Sequence, residues 1–250
     1  MRPEVNAVSF WRSEPGAVLE YRRLLADPVF AGHGVTDGEG QPILVVPGFL
    51  APDRLMRPMM QWLRRTGHLP SAAHIGVNIA CSETTAARLE ERLDHLVHSR
   101  GQRAAIIGHS RGGTFARVLA VRRPDLVSGI VTIGTPPLDL SGLALAIKAP
   151  ATALRMLGRI GIPGLFDSGC FDGACCTSFR SDLAGPFPEE LPFTALQAKN
   201  DGVVDWRKCV DPASEGVPVE ASHLGAVVNP AVFREVASAL AGVRSADRLR

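Results

Sequence analysis

The chain of 250 residues is short of several things at once: membrane-length apolar runs, an excess of charge of either sign, tyrosine, and cysteines in even number. Its most apolar stretch, 138–166, is broken by Asp139, Lys148, Pro150, Arg155 and Arg159. It therefore falls short of the roughly 18 apolar residues that a membrane span needs and reads as a lid. Met1 to Gly16 mixes Arg2, Glu4, Arg12 and Glu14 with short apolar pieces and has no signal-peptide apolar core, so a cytoplasmic location is expected. Lys plus Arg number 27 against 25 acidic residues, and a single Tyr leaves no aromatic and basic interleaving to stack bases. A nucleic-acid partner is excluded on this reading.

Five cysteines, Cys81, Cys170, Cys175, Cys176 and Cys209, argue against a disulfide framework. Free thiols are the first expectation. A single disulfide from the Cys175-Cys176 pair to Cys209 is the second. Zinc comes last, because no Cys-x-x-Cys spacing or nearby paired His supports it.

What is present is 46% hydrophobic content, enough for one substantial core, and a rhythm of short apolar runs alternating with amphipathic stretches. That rhythm predicts βαβ units around a parallel sheet in one domain spanning 1–250. Strands are expected at Pro42–Pro47, Ala73–Ile79, Arg103–Gly108, Leu126–Ile133, Phe193–Ala198 and Val217–Glu220. Helices are expected at Asp53–Arg65, Thr84–Ser99, from Ser110 to about Arg123, and from Pro230 to about Ala241, the last capped by Asn229. Between 135 and 192 the rhythm is lost, and a cap inserted at about 138–190 is expected. Met1–Asn6 and Arg244–Arg250 are expected to be loosely held.

Gly108-His109-Ser110-Arg111-Gly112 stands out. With 25 Gly and 15 Ser, a Gly-x-Ser-x-Gly pattern arises by chance about 0.15 times in such a chain, so its surroundings must carry the weight. They do: an apolar strand runs in, a helix runs out, and glycines occupy the places where a tight turn has no room for Cβ atoms. A serine hydroxyl needs a base. Among the seven histidines only His223 follows Ser110 in the chain, after the last predicted strand. A carboxylate should orient it, and Asp201 in Asn200-Asp201-Gly202 is preferred over Asp205 and Asp211. Two N–H donors for an oxyanion would come from Arg111, after the serine, and from Phe49, after Gly48 at the end of the first strand. The competing readings are a helix-capping serine, a surface histidine and solvated turn carboxylates.

These pieces together resemble the bacterial lipase and esterase branch of the α/β-hydrolase superfamily, over roughly 42–240. Pro47-Gly48-Phe49 looks like its oxyanion turn and Gly108 to Gly113 like its nucleophile elbow. Ile133-Gly134-Thr135-Pro136 is similar to its next turn, Lys199 to Trp206 to its acid loop and Ser222-His223-Leu224-Gly225 to its histidine loop. The chain departs from the pattern with Pro47 where many relatives have His, and with Arg111 in place of a small or apolar residue.

The resemblance implies an α/β-hydrolase fold: a mostly parallel sheet flanked by helices, with a helical cap after the strand that follows the nucleophile helix. It also implies a Ser110-Asp201-His223 triad with Leu50, His109 and Leu224 against the substrate. No cofactor or metal is required. The expected partner is a small ester or lipid carrying an apolar acyl chain, which Leu143, Leu145, Ile147, Leu154, Met156, Leu157 and Ile160 of the cap would face. Acyl transfer or thioester cleavage by the same triad, and a fold retained only for binding, are the rival hypotheses.

Overall fold

The computed structural model describes residues 14–136 and 174–248. Six strands form one sheet: β1 (Pro42–Val46), β2 (Leu69–Ala72), β3 (Ala104–His109), β4 (Val127–Ile133), β5 (Phe193–Ala198) and β6 (Glu215–Val219). Their order is β2-β1-β3-β4-β5-β6, and every neighbouring pair is parallel. The described helices are α1 (Ala17–Ala26), α2 (Arg57–Arg65), α3 (Ser82–Arg100), α4 (Arg111–Arg122), α5 (Thr177–Ala184) and α6 (Pro230–Arg248).

Strands covered on both faces read as unbroken apolar runs, and β1, β3 and β4 are buried at every position. Alternation along each strand splits the interior into two cores. Ile43, Val45, Ile107 and Val131 meet Trp62 of α2 and Phe233 of α6, whereas Leu44, Ile106 and Ile130 meet Leu89 of α3 and Phe115 of α4. The sheet is thus a layer between two sets of helices. No described helix is long and apolar enough to cross a membrane.

The second strand differs from expectation: it is Leu69–Ala72, and Ala73–Ile79 is not a strand. His74 has φ 59°, which ends extended backbone there. Ile75 then gives its N–H to Asp53 Oδ2 at 3.0 Å and its carbonyl to the Asp53 N–H, so the segment is tied to the turn after β1 instead of to a strand. The same Asp53, expected to cap a helix, opens a 3-10 turn, Asp53–Met56, before α2. Helix α6 runs to Arg248, past the expected Ala241, because Arg103 pairs with Asp247 and Arg244 donates to the Asp37 carbonyl. Asn229 caps it as expected, its Oδ1 accepting from Ala231 N at 2.9 Å.

Most of the expected cap, including its apolar residues from Leu143 to Ile160, lies outside the described residues, as do Met1–Asn6. Of the remainder, α5 packs against α3 and α4, with Phe179 edge-on to Phe115 at 5.5 Å between ring centres.

Candidate active site

Strand order reverses between β1 and β3, since the chain steps outward from β1 to β2 and then returns to the other side. The loops leaving β1 and β3 therefore diverge around a crevice at the carboxyl edge of the sheet, where open α/β sheets bind ligands. Ser110 stands on one side and Gly48-Phe49 on the other. A Cβ built on Gly48 would lie 3.1 Å from Ser110 Cβ and 2.9 Å from His109 Nδ1, so only glycine permits this approach.

Ser110 has φ 51° and ψ −123°, a strained conformation at the junction of β3 and α4. The turn is over-determined. Ser110 N–H donates to the Ile133 carbonyl at 2.8 Å, and the Ser110 carbonyl accepts from Gly113 N–H and from Thr135 Oγ1, both at 2.9 Å. Cβ atoms on Gly108, Gly112 or Gly113 would run into Gly112 backbone, the Val46 and Pro47 carbonyls, or Thr135 respectively.

Across the β4 end, His223 Nδ1–H donates to Asp201 Oδ2 at 2.6 Å, and the other oxygen, Oδ1, accepts from Val203 N at 2.8 Å and Val204 N at 2.7 Å. Asp201 is thereby fixed and fully engaged. Neither alternative carboxylate reaches His223: Asp205 caps the 3-10 turn Trp206–Lys208, and Asp211 makes a buried ion pair with Arg117 at 2.6 Å. Gly134, between Ser110's partner Ile133 and its partner Thr135, would place a Cβ 3.3 Å from both Asp201 Oδ2 and His223 Nδ1. The serine turn and the Asp201-His223 pair thus share one wall.

His109, expected against the substrate, is placed otherwise. It is buried with its ring 4.9 Å from the His223 ring, and its Nε2–H donates to the His223 carbonyl at 3.0 Å. It braces the histidine loop. Leu50 and Leu224, the other two expected contacts, are solvent-facing apolar side chains beside Phe49 and His223.

Residues 78–160 match the alpha/beta hydrolase fold family. Similar solved structures include the mature lipase of Bacillus licheniformis, at 16% identity and TM-score 0.60 over 83% of this chain and 94% of that one. A soluble variant of monoglyceride lipase from Saccharomyces cerevisiae aligns at 15% identity and TM-score 0.58, over 84% and 88%. EstE1, a thermophilic carboxylesterase cloned from a metagenomic library, aligns at 14% and 0.56, over 83% and 81%. The chain has the α/β-hydrolase fold.

Within that α/β-hydrolase fold, the site of this chain has supports that sequence reasoning missed. Glu14 and Glu20, both buried, come from the chain's start. Glu14 Oε1 accepts from Gly202 N at 2.9 Å and His223 N at 3.1 Å, and its Oε2 from Leu224 N at 2.7 Å. Glu20 accepts from Ser222 N at 3.0 Å and Asn229 Nδ2 at 2.6 Å. Two carboxylates thus satisfy the main-chain donors of the loops carrying Asp201 and His223. Local pattern gave no signal except an inverted one: α1 buries Glu20 and Leu24 while exposing Val18, Leu19, Tyr21 and Leu25.

Arg111 supports the opposite wall. Its guanidinium donates to Asn78 Oδ1 at 2.8 Å, the Ala80 carbonyl at 2.7 Å and Ser82 Oγ at 3.0 Å, and Asn78 Nδ2 donates to the Pro47 carbonyl at 2.8 Å.

The two histidines are polarised differently. Burial alone would lower the His223 pKa, but the Asp201 charge and hydrogen bond, helped by the Glu14 charge, outweigh it and raise the value above 6.5. For His109, burial and the neighbouring His223 push the value down to about 3. One ring is poised to take a proton and the other stays neutral.

Proposed function

We propose that this chain is a carboxylic ester hydrolase acting through an acyl-enzyme. Ser110 Oγ attacks the ester carbonyl while His223 takes its proton, and the Phe49 and Arg111 amides hold the oxyanion. As the tetrahedral intermediate collapses, the ester C–O bond breaks and the leaving alcohol receives that proton. Water repeats the sequence on the acyl group, freeing the acid and Ser110. Asp201 fixes the His223 tautomer and offsets the imidazolium charge. The scheme calls on no cofactor.

The observation that carries this reading is the Asp201-His223 bond of 2.6 Å, held in a wall shared with a serine at φ 51°. A helix-capping serine would need neither the strain nor the wall. Support for an ester with an apolar acyl chain comes from Leu50 and Leu224, exposed apolar side chains next in sequence to Phe49 and His223. The likeness to lipases and a carboxylesterase agrees in substrate class.

Labelling with a fluorophosphonate, with Ser110→Ala beside it, tests the nucleophile. Stoichiometric labelling of the native chain alone is expected. A folded native protein that never labels would refute the proposal. A series of p-nitrophenyl esters then tests the acyl chain: activity should rise beyond acetate, and a preference confined to acetate would refute the apolar acyl site.

A further inference from the structure

Far from one another in sequence, Cys81, Cys175 and Cys176 converge in the fold. Their sulfurs all lie within 4.8 Å of one another, with Cys81 Sγ 3.4 Å and Cys175 Sγ 3.7 Å from Cys176 Sγ. None of the three is joined to another of them by a disulfide. The expected partner of the Cys175-Cys176 pair, Cys209, is elsewhere, buried against Val203 and Val204. We infer that Cys81, Cys175 and Cys176 form a thiolate site for a soft divalent cation, zinc in the first instance. The inference is independent of the proposed ester hydrolysis.

Spacing separates this from a disulfide. A tetrahedral zinc with Zn–S bonds of about 2.3 Å sets its sulfurs about 3.8 Å apart. The two separations lie a few tenths of an ångström or less below that value and far exceed the roughly 2.05 Å of a disulfide. A disulfide would also use two of the three sulfurs and leave the third beside it. Cys-x-x-Cys spacing, the signal that the sequence lacks, is supplied here by tertiary contact. A tetrahedral ion takes one donor more than these three.

The surroundings of Cys81 suit an anionic ligand set around a cation. Cys81 is the N-cap of α3, a helix of 19 residues, where the dipole lowers the cost of negative charge. The Arg111 guanidinium bonds to Ala80 and Ser82, the residues on either side of Cys81. Cys175 is exposed and gives a route of entry, whereas Cys176 is fully buried. Metal binding would release the thiol protons to solvent.

Such a site would act as a clasp. Cys81 ends the Asn78–Cys81 strap that holds the Pro47 carbonyl, and Cys175 and Cys176 lie in the 3-10 turn Ala174–Cys176 that leads into α5. A metal there would pin the start of α5 to the strap beside the crevice.

The test is metal content of the full chain, purified under reductant after growth with zinc. About one zinc per chain is expected, and cobalt substituted for it should give a thiolate-to-cobalt charge-transfer band. Cys81→Ser, Cys176→Ser and the exposed Cys175→Ser should each lose the band, while Cys209→Ser keeps it. Cys175→Ser guards against a loss caused by misfolding, since that side chain is exposed. Chelation should increase amide hydrogen exchange at 78–82 and 174–184. Folded native protein with no zinc and no cobalt band would overturn the inference, as would zinc retained equally by the three variants. Two thiols lost in air and restored by reductant, without metal, would overturn it in favour of a Cys81-Cys176 disulfide.

Discussion

Glu14 holds His223 through the main chain: its Oε1 accepts the His223 N–H at 3.1 Å and, at 2.9 Å, the N–H of Gly202 beside Asp201. One buried oxygen therefore joins the loop of the acid to the loop of the base. Glu14→Ala strands three main-chain donors, each costing about 1–3 kcal/mol when buried and unpaired, so a loss of at least about 2 kcal/mol in denaturant unfolding is expected. Glu14→Gln keeps the shape but removes the charge that helps raise the His223 pKa. Its acid limb of kcat/KM should move to lower pH, a shift that a purely structural role would not produce.

The same reasoning fixes the sign of the native pH profile. His223 must be neutral to accept the Ser110 proton, so kcat/KM should fall as pH drops through a pKa raised above 6.5. His109, pushed down to about 3, adds no second ionisation to that limb. Asp201→Asn removes the largest influence raising the His223 pKa and leaves burial, so the limb should shift to lower pH and kcat should fall by about 10³–10⁴. Because the folded pKa is raised, the stabilisation from protonated His223 is fully present below its unfolded value of about 6.5 and is lost as pH rises through the folded pKa. Asp201→Asn should therefore destabilise more at pH about 5.5 than at pH about 8, measured by urea unfolding. Equal losses at both would contradict the raised pKa.

How far the sequence foretold this site depends on where each residue's partner lies. Strands β1, β3 and β4 were legible because both of their faces are covered, which forces an unbroken apolar run. Ser110 and its glycines were legible because a tight turn dictates residue type locally. β2 was not: Leu69–Ala72 is an edge strand containing Pro70, which needs no ladder N–H there, while the more apolar Ala73–Ile79 became a loop. Glu14 and Glu20 were illegible for another reason. They bond to backbone N–H groups about 200 residues away, and a backbone donor has no residue type to betray it.

Gly112 tests the crevice wall by volume alone. A Cβ there would press into the Val46 carbonyl and come within 2.8 Å of the Pro47 carbonyl, both backbone atoms at the end of β1 that no rotamer change can move. Gly112→Ala should cost about 1–3 kcal/mol or more and abolish fluorophosphonate labelling. Gly76→Ala is the control: its Cβ would meet nothing within 4 Å, and both stability and labelling should be retained.

Arg111 carries two separable contributions, a main-chain amide proposed for the oxyanion and a side chain that holds the strap behind Phe49. The side chain forks onto Asn78 and Ala80, and Asn78 in turn holds the Pro47 carbonyl and accepts the Leu50 N–H at 3.2 Å. Lysine has one ammonium and cannot reproduce that fork. Arg111→Lys keeps the amide but loosens the strap, so kcat should fall about tenfold, equivalent to about 1.4 kcal/mol, with KM little changed. Asn78→Ala cuts the same chain one link nearer Phe49 and should fall further. If the two side chains act in series, the double variant should be no slower than Asn78→Ala, since the link that Arg111 secures is already gone. Additive losses would instead mean that the guanidinium acts directly at the crevice.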